Sequence, residues 1–182
     1  HIPLTLSGTS TSETDYTTTF DSEGNSTTLM SSDSSYGKMR VHDDGRVIFM
    51  NGTTMRVYDT SDGSIQQVNF NRSYNEIQLD GDILYAQHSD KYIYKIDISD
   101  LTNITETEYV NIQDGFGSYI RYWTQNNGKL VYTFYDNSLT TNNYKVMTIE
   151  NDTSDQIAQY NSCCHVPFMY NEQLYLLDNY NT

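Results

Sequence analysis

Basic residues are scarce in this chain. Ten lysines and arginines stand against 24 acids in 182 residues, a formal net charge of −14, and such a field repels phosphate backbones and anionic head groups. Nucleic acid and membrane surfaces are therefore not expected partners, whereas neutral sugars, cations and basic proteins stay open. Long apolar runs are missing too: clusters such as Leu174 to Leu177 span a few residues, where a transmembrane helix needs roughly 20. No membrane insertion is expected. Two prolines and ten glycines rule out collagen-like and proline-rich classes. Alanine occurs only as Ala86 and Ala158, and so little of the best helix former argues against a helical protein. The first residue is His1 rather than methionine, as removal of a leader or a start inside a longer protein would leave it.

What is abundant points to strands. Tyrosine, threonine, isoleucine and valine recur at period two or in short clusters, the pattern of half-buried β-structure. A polar turn followed by an apolar strand appears four times: Gly45-Arg46-Val47-Ile48-Phe49, Gly81-Asp82-Ile83-Leu84-Tyr85, Gly128-Lys129-Leu130-Val131-Tyr132 and Glu172-Gln173-Leu174-Tyr175-Leu176. Taking Arg46, Asp82, Lys129 and Gln173 as equivalent gives spacings of 36, 47 and 44 residues. The next strand repeats as well, because Met55 to Asp62 aligns without a gap on Ile93 to Asp100, and Val146 to Glu150 is a third copy. Ser64 to Phe70, Thr105 to Val110 and Gln156 to Tyr160 supply a further strand each, and Lys38 to His42, Asn75 to Leu79, Tyr119 to Trp123 and Val166 to Tyr170 an innermost one.

Four strands at a period of roughly 40 to 50 residues mark propeller blades. The expected fold is therefore all-β, a β-propeller of four-stranded antiparallel blades, either a complete small ring or part of a larger one. The blades fall at 36–74, 75–117 and 118–162, with a partial one at 163–182, so that three and a half are present. Residues 1–35 are Ser/Thr-rich and read as an arm. Strand-like pieces at Ile2 to Leu6, Tyr16 to Phe20 and Thr27 to Met30 could each be held by an existing sheet edge, on the incomplete blade or on a neighbouring subunit. Val47, Ile83, Leu130 and Leu174 are expected to be buried and equivalent.

Five Asn-x-Ser/Thr sequons occur, at Asn25, Asn51, Asn71, Asn103 and Asn151. A chain this rich in those residues produces some by chance, so placement carries the argument. The blade register puts Asn51, Asn71, Asn103 and Asn151 in loops, on both faces of the disc, which predicts N-glycosylation and an extracellular or cell-surface location.

Within the propeller class, Tyr58-Asp59-Thr60-Ser61-Asp62-Gly63 is similar to the strand-and-turn segment of quinoprotein-like repeats. Tyr122-Trp123-Thr124 resembles the tetrapeptide of lipoprotein-receptor propellers, but Gln125 replaces its aspartate and the motif falls on a different strand. Kelch and WD signatures are absent. The resemblance covers Lys38 to the end and implies the architecture without a family inside it.

Chemistry-bearing motifs are few. Cys163 and Cys164 are adjacent, which excludes the spaced pairs that hold zinc or haem. A disulfide ring between them, two small apolar fillers, and a bond to another segment or chain are all open. His42 with Asp43 and Asp44 is the nearest approach to a metal cluster, and it reads as a polar turn before Gly45. Asp59 to Gly63 lacks the ligand ladder of a calcium loop. No nucleophile elbow occurs, and a glycosidase pair among Asp43, Asp44, Asp80 and Asp82 depends on separations that sequence does not give. No catalytic residue, metal ligand or cofactor is assigned. Seventeen tyrosines and Trp123 suit sugar stacking and strand cores alike.

The function expected from these features is that of an extracellular glycosylated structural or adhesion module, a subunit of a cell-surface filament or coat. It would bind its own copies, surface glycans or proteins. The alternatives are a carbohydrate-binding or carbohydrate-active propeller and a receptor ectodomain.

Overall fold

A computed structural model describes residues 15–20, 26–32, 38–112, 118–141, 143–161, 165–171 and 173–178. Asn25, Cys163, Cys164 and the Ile2 to Leu6 piece lie outside them. The described residues are all-β, with antiparallel pairing throughout the registered strand pairs. The strands are β1 (Asp15–Phe20), β2 (Ser26–Ser32), β3 (Lys38–Val41), β4 (Val47–Tyr58), β5 (Ile65–Tyr74), β6 (Glu76–Asp80), β7 (Ile83–His88) and β8 (Tyr92–Asp97). They continue with β9 (Thr105–Asn111), β10 (Tyr119–Asn126), β11 (Lys129–Tyr135), β12 (Tyr144–Glu150), β13 (Thr153–Tyr160), β14 (His165–Tyr170) and β15 (Gln173–Asp178). Two sheets are four-stranded, β6-β7-β8-β9 and β10-β11-β12-β13; the others are β3-β4-β5, β1-β2 and β14-β15. The chain divides into two compact units, one ending at Ile77 and the other starting at Gln78.

In the first unit, β1 pairs with β2. Two of the three strand-like pieces, Tyr16 to Phe20 and Thr27 to Met30, thus pair with each other in a two-stranded sheet. Strand β4 merges what the sequence reads as two strands. Twelve extended residues would span roughly 40 Å, yet Tyr58 packs on Val47 and Phe49 and the Thr60 hydroxyl donates to the Gly45 carbonyl at 3.1 Å. The chain must therefore double back inside β4, and Gly52, with φ +58°, provides the left-handed residue for the reversal. The first blade-like sheet has its four extended segments after all, folded from three elements.

In the second unit, paired left-handed residues make the two-residue turns of the third sheet. Asn127 and Gly128 (φ 49° and 73°) close β10 to β11, and Asn151 and Asp152 (φ 50° and 58°) close β12 to β13, the geometry that matches strand twist. This tight second turn starts β13 at Thr153, ahead of the Gln156 expected. The core between the two four-stranded sheets joins Tyr85, Ile93, Val110 and Ile112 to Ile120, Trp123, Leu130, Tyr132, Phe134 and Ile149. β14 packs against β10 and β11.

Val47, Ile83, Leu130 and Leu174 do occupy the second strand of successive sheets, and Gly45, Gly81 and Gly128 before three of them all have positive φ. Their burial differs from expectation. Val47 and Leu130 are buried, but Ile83 and Leu174 are only half-buried, because burial depends on what covers each sheet and not on the strand's own pattern.

Candidate functional site

Aspartates build the turns. The Asp59 carboxylate accepts from the Ser61 amide and hydroxyl at 2.8 and 2.6 Å, and Asp97 accepts from Ser99 in the same way at 3.0 and 2.7 Å. Asp136 repeats the motif with Ser138 on the turn after β11, and Asp100 does so with Thr102. Such donors stabilise the ionised form, so the Ser99 and Thr102 donors hold Asp97 and Asp100 below the usual carboxylate range. The segment weighed as a calcium loop is of this kind. Asp62 accepts from the Ser64 amide at 2.8 Å and the Gly63 amide from Asp59's carbonyl at 2.9 Å, leaving a structural turn.

Two of the four acids weighed as a catalytic pair, Asp44 and Asp80, are engaged in turn bonds. Asp44 accepts from the Arg46 amide at 3.0 Å and from its Nε at 2.7 Å, and stands 2.7 Å from His42 Nδ1. The Arg46 amide above all, with its guanidinium, lowers Asp44 to about 2. Asp80 accepts the Gly128 amide at 2.5 Å. Among the described residues, no group of three or more His, Cys, Asp or Glu could hold a metal, and no helix is long and apolar enough to cross a membrane.

The sequons differ in setting. Asn103 and Asn151 are exposed in the turns joining third to fourth strands of successive sheets, as expected. Asn51 is half-buried at the reversal of β4. Asn71 is exposed but lies within β5 and not in a loop between sheets, because β5 continues past Phe70 to pair Tyr74 with Gly52.

Trp123 leaves the sugar-stacking inventory. It is buried in the core, and its Nε1 donates to Gln87 Oε1 at 2.9 Å. The tyrosines instead contribute a feature that sequence reasoning missed. Register places Tyr119 opposite Tyr135, Tyr135 opposite Tyr144 and Tyr144 opposite Tyr160, so one row of four half-buried tyrosines crosses the whole of β10 to β13. Tyr119 and Tyr135 have ring centroids 5.4 Å apart, and Tyr135 and Tyr144 5.1 Å, within the range of aromatic pairing. The Tyr135 hydroxyl donates to Asn137 Oδ1 at 3.3 Å and accepts from Asn143 Nδ2 at 3.4 Å.

The neighbouring sheet carries the equivalent row, His88 opposite Tyr92 and Tyr92 opposite Asn111, with the His88 and Tyr92 rings stacked at 5.9 Å. Its turn is tied to the tyrosine row, since the Ile120 amide donates to the Asp90 carbonyl at 2.5 Å. An aromatic strip flanked by side-chain amides therefore runs along one end of two successive sheets. Stacking faces beside neutral donors and acceptors suit uncharged polyhydroxyl ligands. A visible signal existed, for a tyrosine opens or closes each of these four strands, but only register shows that the four align.

No protein-family model matches the chain, and no curated protein matches its sequence. Among solved structures it is similar to the computationally designed Ika4 protein, with 13% identity and a TM-score of 0.52 over 85% of this chain and 93% of that one. That likeness concerns the fold alone. It is also similar to the N-terminal domain of Nup159, at 9% identity and a TM-score of 0.46, over 75% of this chain and 34% of that one. A chain in the S. cerevisiae structure of a Dbp5 variant bound to Nup159, a Gle1 variant, IP6 and ADP gives 9% identity and 0.46, over 78% of this chain and 35% of that one. The present chain spans about a third of the length of these two, and at a TM-score below 0.5 neither bears on function.

Proposed function

We propose that the chain belongs to a β-propeller of four-stranded blades and serves as an extracellular, N-glycosylated structural or adhesion module that contacts surface glycans through the aromatic strip. The propeller reading is supported by successive antiparallel sheets whose first strands lie side by side, as β6 and β10 do through Gln78 and Gln125. The adhesion reading is carried by the tyrosine row. Its four half-buried rings cover the full width of one sheet, at the end opposite the Asn151 turn, so a glycan on Asn151 would leave the strip open. A net charge of −14 favours neutral over polyanionic ligands. A strip of this kind needs neither cofactor nor metal.

The test is a glycan array and surface-binding assay with the wild-type chain and the Tyr135→Ala and Tyr144→Ala variants. Neutral glycans should bind, and each variant should weaken binding by roughly 5- to 150-fold, the equivalent of about 1–3 kcal/mol for a ring stacked on an aromatic side chain. Binding that survives both substitutions, or none to any neutral glycan, would remove the strip as the adhesive surface.

A further inference from the structure

Two phenols of the tyrosine row stand close enough to react with each other. Tyr135 lies directly opposite Tyr144 across β11 and β12, and side chains so placed leave one face of the sheet side by side. Their ring centroids are 5.1 Å apart, with the planes tilted by 55°. This is closer than Tyr119 to Tyr135 at 5.4 Å, Tyr85 to Tyr109 at 5.8 Å or Tyr92 to Tyr94 at 6.4 Å. A tilt of this order is also the one that two directly joined phenol rings adopt, because it keeps the groups beside the new bond apart.

The Tyr135 hydroxyl is held as well. It donates to Oδ1 of the exposed Asn137 at 3.3 Å and accepts from Asn143 Nδ2 at 3.4 Å, so its proton has a first acceptor that faces water. Both rings are half-buried: an electron-transfer partner can reach their edges, while the sheet restricts the approach of a second chain. The Tyr85 and Tyr109 pair is less suited. Burial pushes the Tyr85 phenol up to about 12, and a phenol that keeps its proton more firmly is harder to oxidise.

We propose that Tyr135 and Tyr144 are an oxidative modification site, joined within the chain as dityrosine by a peroxide-driven one-electron oxidant. Each phenol gives up one electron and one proton, and together these reduce one hydrogen peroxide to two waters. The two phenoxyl radicals then form a carbon–carbon bond between the ring positions ortho to their hydroxyls. Each ring regains its aromaticity when the hydrogen displaced from that carbon moves to the phenol oxygen. Rings held in one sheet react as parts of one molecule, whereas rings on separate chains must first collide, so the bond within the chain is the faster one to form. It ties β11 to β12 covalently at the end of the sheet where the aromatic strip runs. This modification goes beyond the adhesive reading and does not rest on it.

The test is oxidation of the full chain at low micromolar concentration by a haem peroxidase and hydrogen peroxide, followed by dityrosine fluorescence, intact mass and mapping of linked peptides. The wild type should give a single-chain product lighter by two hydrogen atoms, with Tyr135 linked to Tyr144. Tyr135→Phe and Tyr144→Phe keep the ring and remove the reactive phenol, so each should abolish that product while the circular dichroism spectrum is kept. Should one of them misfold, the other reads the same bond. Tyr170→Phe, which removes a phenol that is 59% exposed on another sheet, should leave it unchanged. A wild type without the single-chain product overturns the proposal. So does a product mapped to other tyrosines, one that joins separate chains, or one that survives Tyr135→Phe. No glycan enters the measurement, so failure here leaves the adhesive reading standing, and failure of the glycan array leaves the cross-link standing.

Discussion

Gln78 and Gln125 lock two first strands together. The Gln125 amide donates to Gln78 Oε1 at 3.0 Å, and the Gln125 side chain in turn donates to the Leu79 carbonyl at 2.6 Å. The Gln78 Nε2 completes the clasp by donating to the Trp123 carbonyl at 3.1 Å. One side-chain amide thereby serves β10 as a short length of strand, satisfying a backbone donor and an acceptor that face a neighbouring sheet.

Gln78→Ala should therefore destabilise by about 1–3 kcal/mol, the cost of leaving such groups unpaired. For a chain of this size that lowers Tm by roughly 2–12 °C. A melt monitored by circular dichroism decides it, and an unchanged Tm would mean that water replaces the clasp without loss.

Asp136 is buried, and Lys145 Nζ stands 2.7 Å from its carboxylate. Burial alone would raise its pKa, but the Lys145 and Ser138 contacts outweigh it and the folded-state value lies below the ordinary one. A depressed carboxylate contributes stability that is present above the unfolded value near 3.8 and is lost as pH falls through the folded value. Tm should be level above about pH 5 and fall below about pH 4. Asp136→Asn should destabilise the fold by about 1–3 kcal/mol at neutral pH, seen as a lower Tm, and flatten the acid limb. An acid limb equally steep in the variant would assign the pH dependence to other groups.

Gly45 and Gly81 both have positive φ, at 94° and 53°, so alanine at either is strained by about 1–2 kcal/mol. They differ in surroundings. A Cβ at Gly45 would meet Thr60 Oγ1 at 2.8 Å, whereas nothing lies within 4 Å of one at Gly81. Gly45→Ala should cost about 1 kcal/mol more than Gly81→Ala, because Thr60 must give up its bond to the Gly45 carbonyl. In a Thr60→Ala background the difference should vanish, and urea titrations of the four proteins measure it.

Site occupancy should follow exposure. Asn103 and Asn151 sit in exposed turns and Asn51 is half-buried at a chain reversal. In material from the native source, glycopeptide mass spectrometry should find the first two sites most fully occupied and Asn51 least. Bare asparagine at both turns would take away the extracellular reading, which rests on these sequons.

The amino-acid sequence alone determined the local pattern: strands from Lys38 onward, the first strand of each sheet to within about one residue on average, the left-handed turn glycines and the matching Asp-x-Ser turns. Those features depend on period-two patterning and turn chemistry, which act between near neighbours. Tertiary structure decided what depends on distant partners. It set which second-strand residues are fully buried, drew Trp123 into the core, paired β1 with β2, and made β5 run through Asn71. It also aligned four tyrosines separated by loops. Register between strands and the covering of a sheet face are relations between segments far apart in the chain, and period-two patterning carries no information about which segment will arrive opposite another.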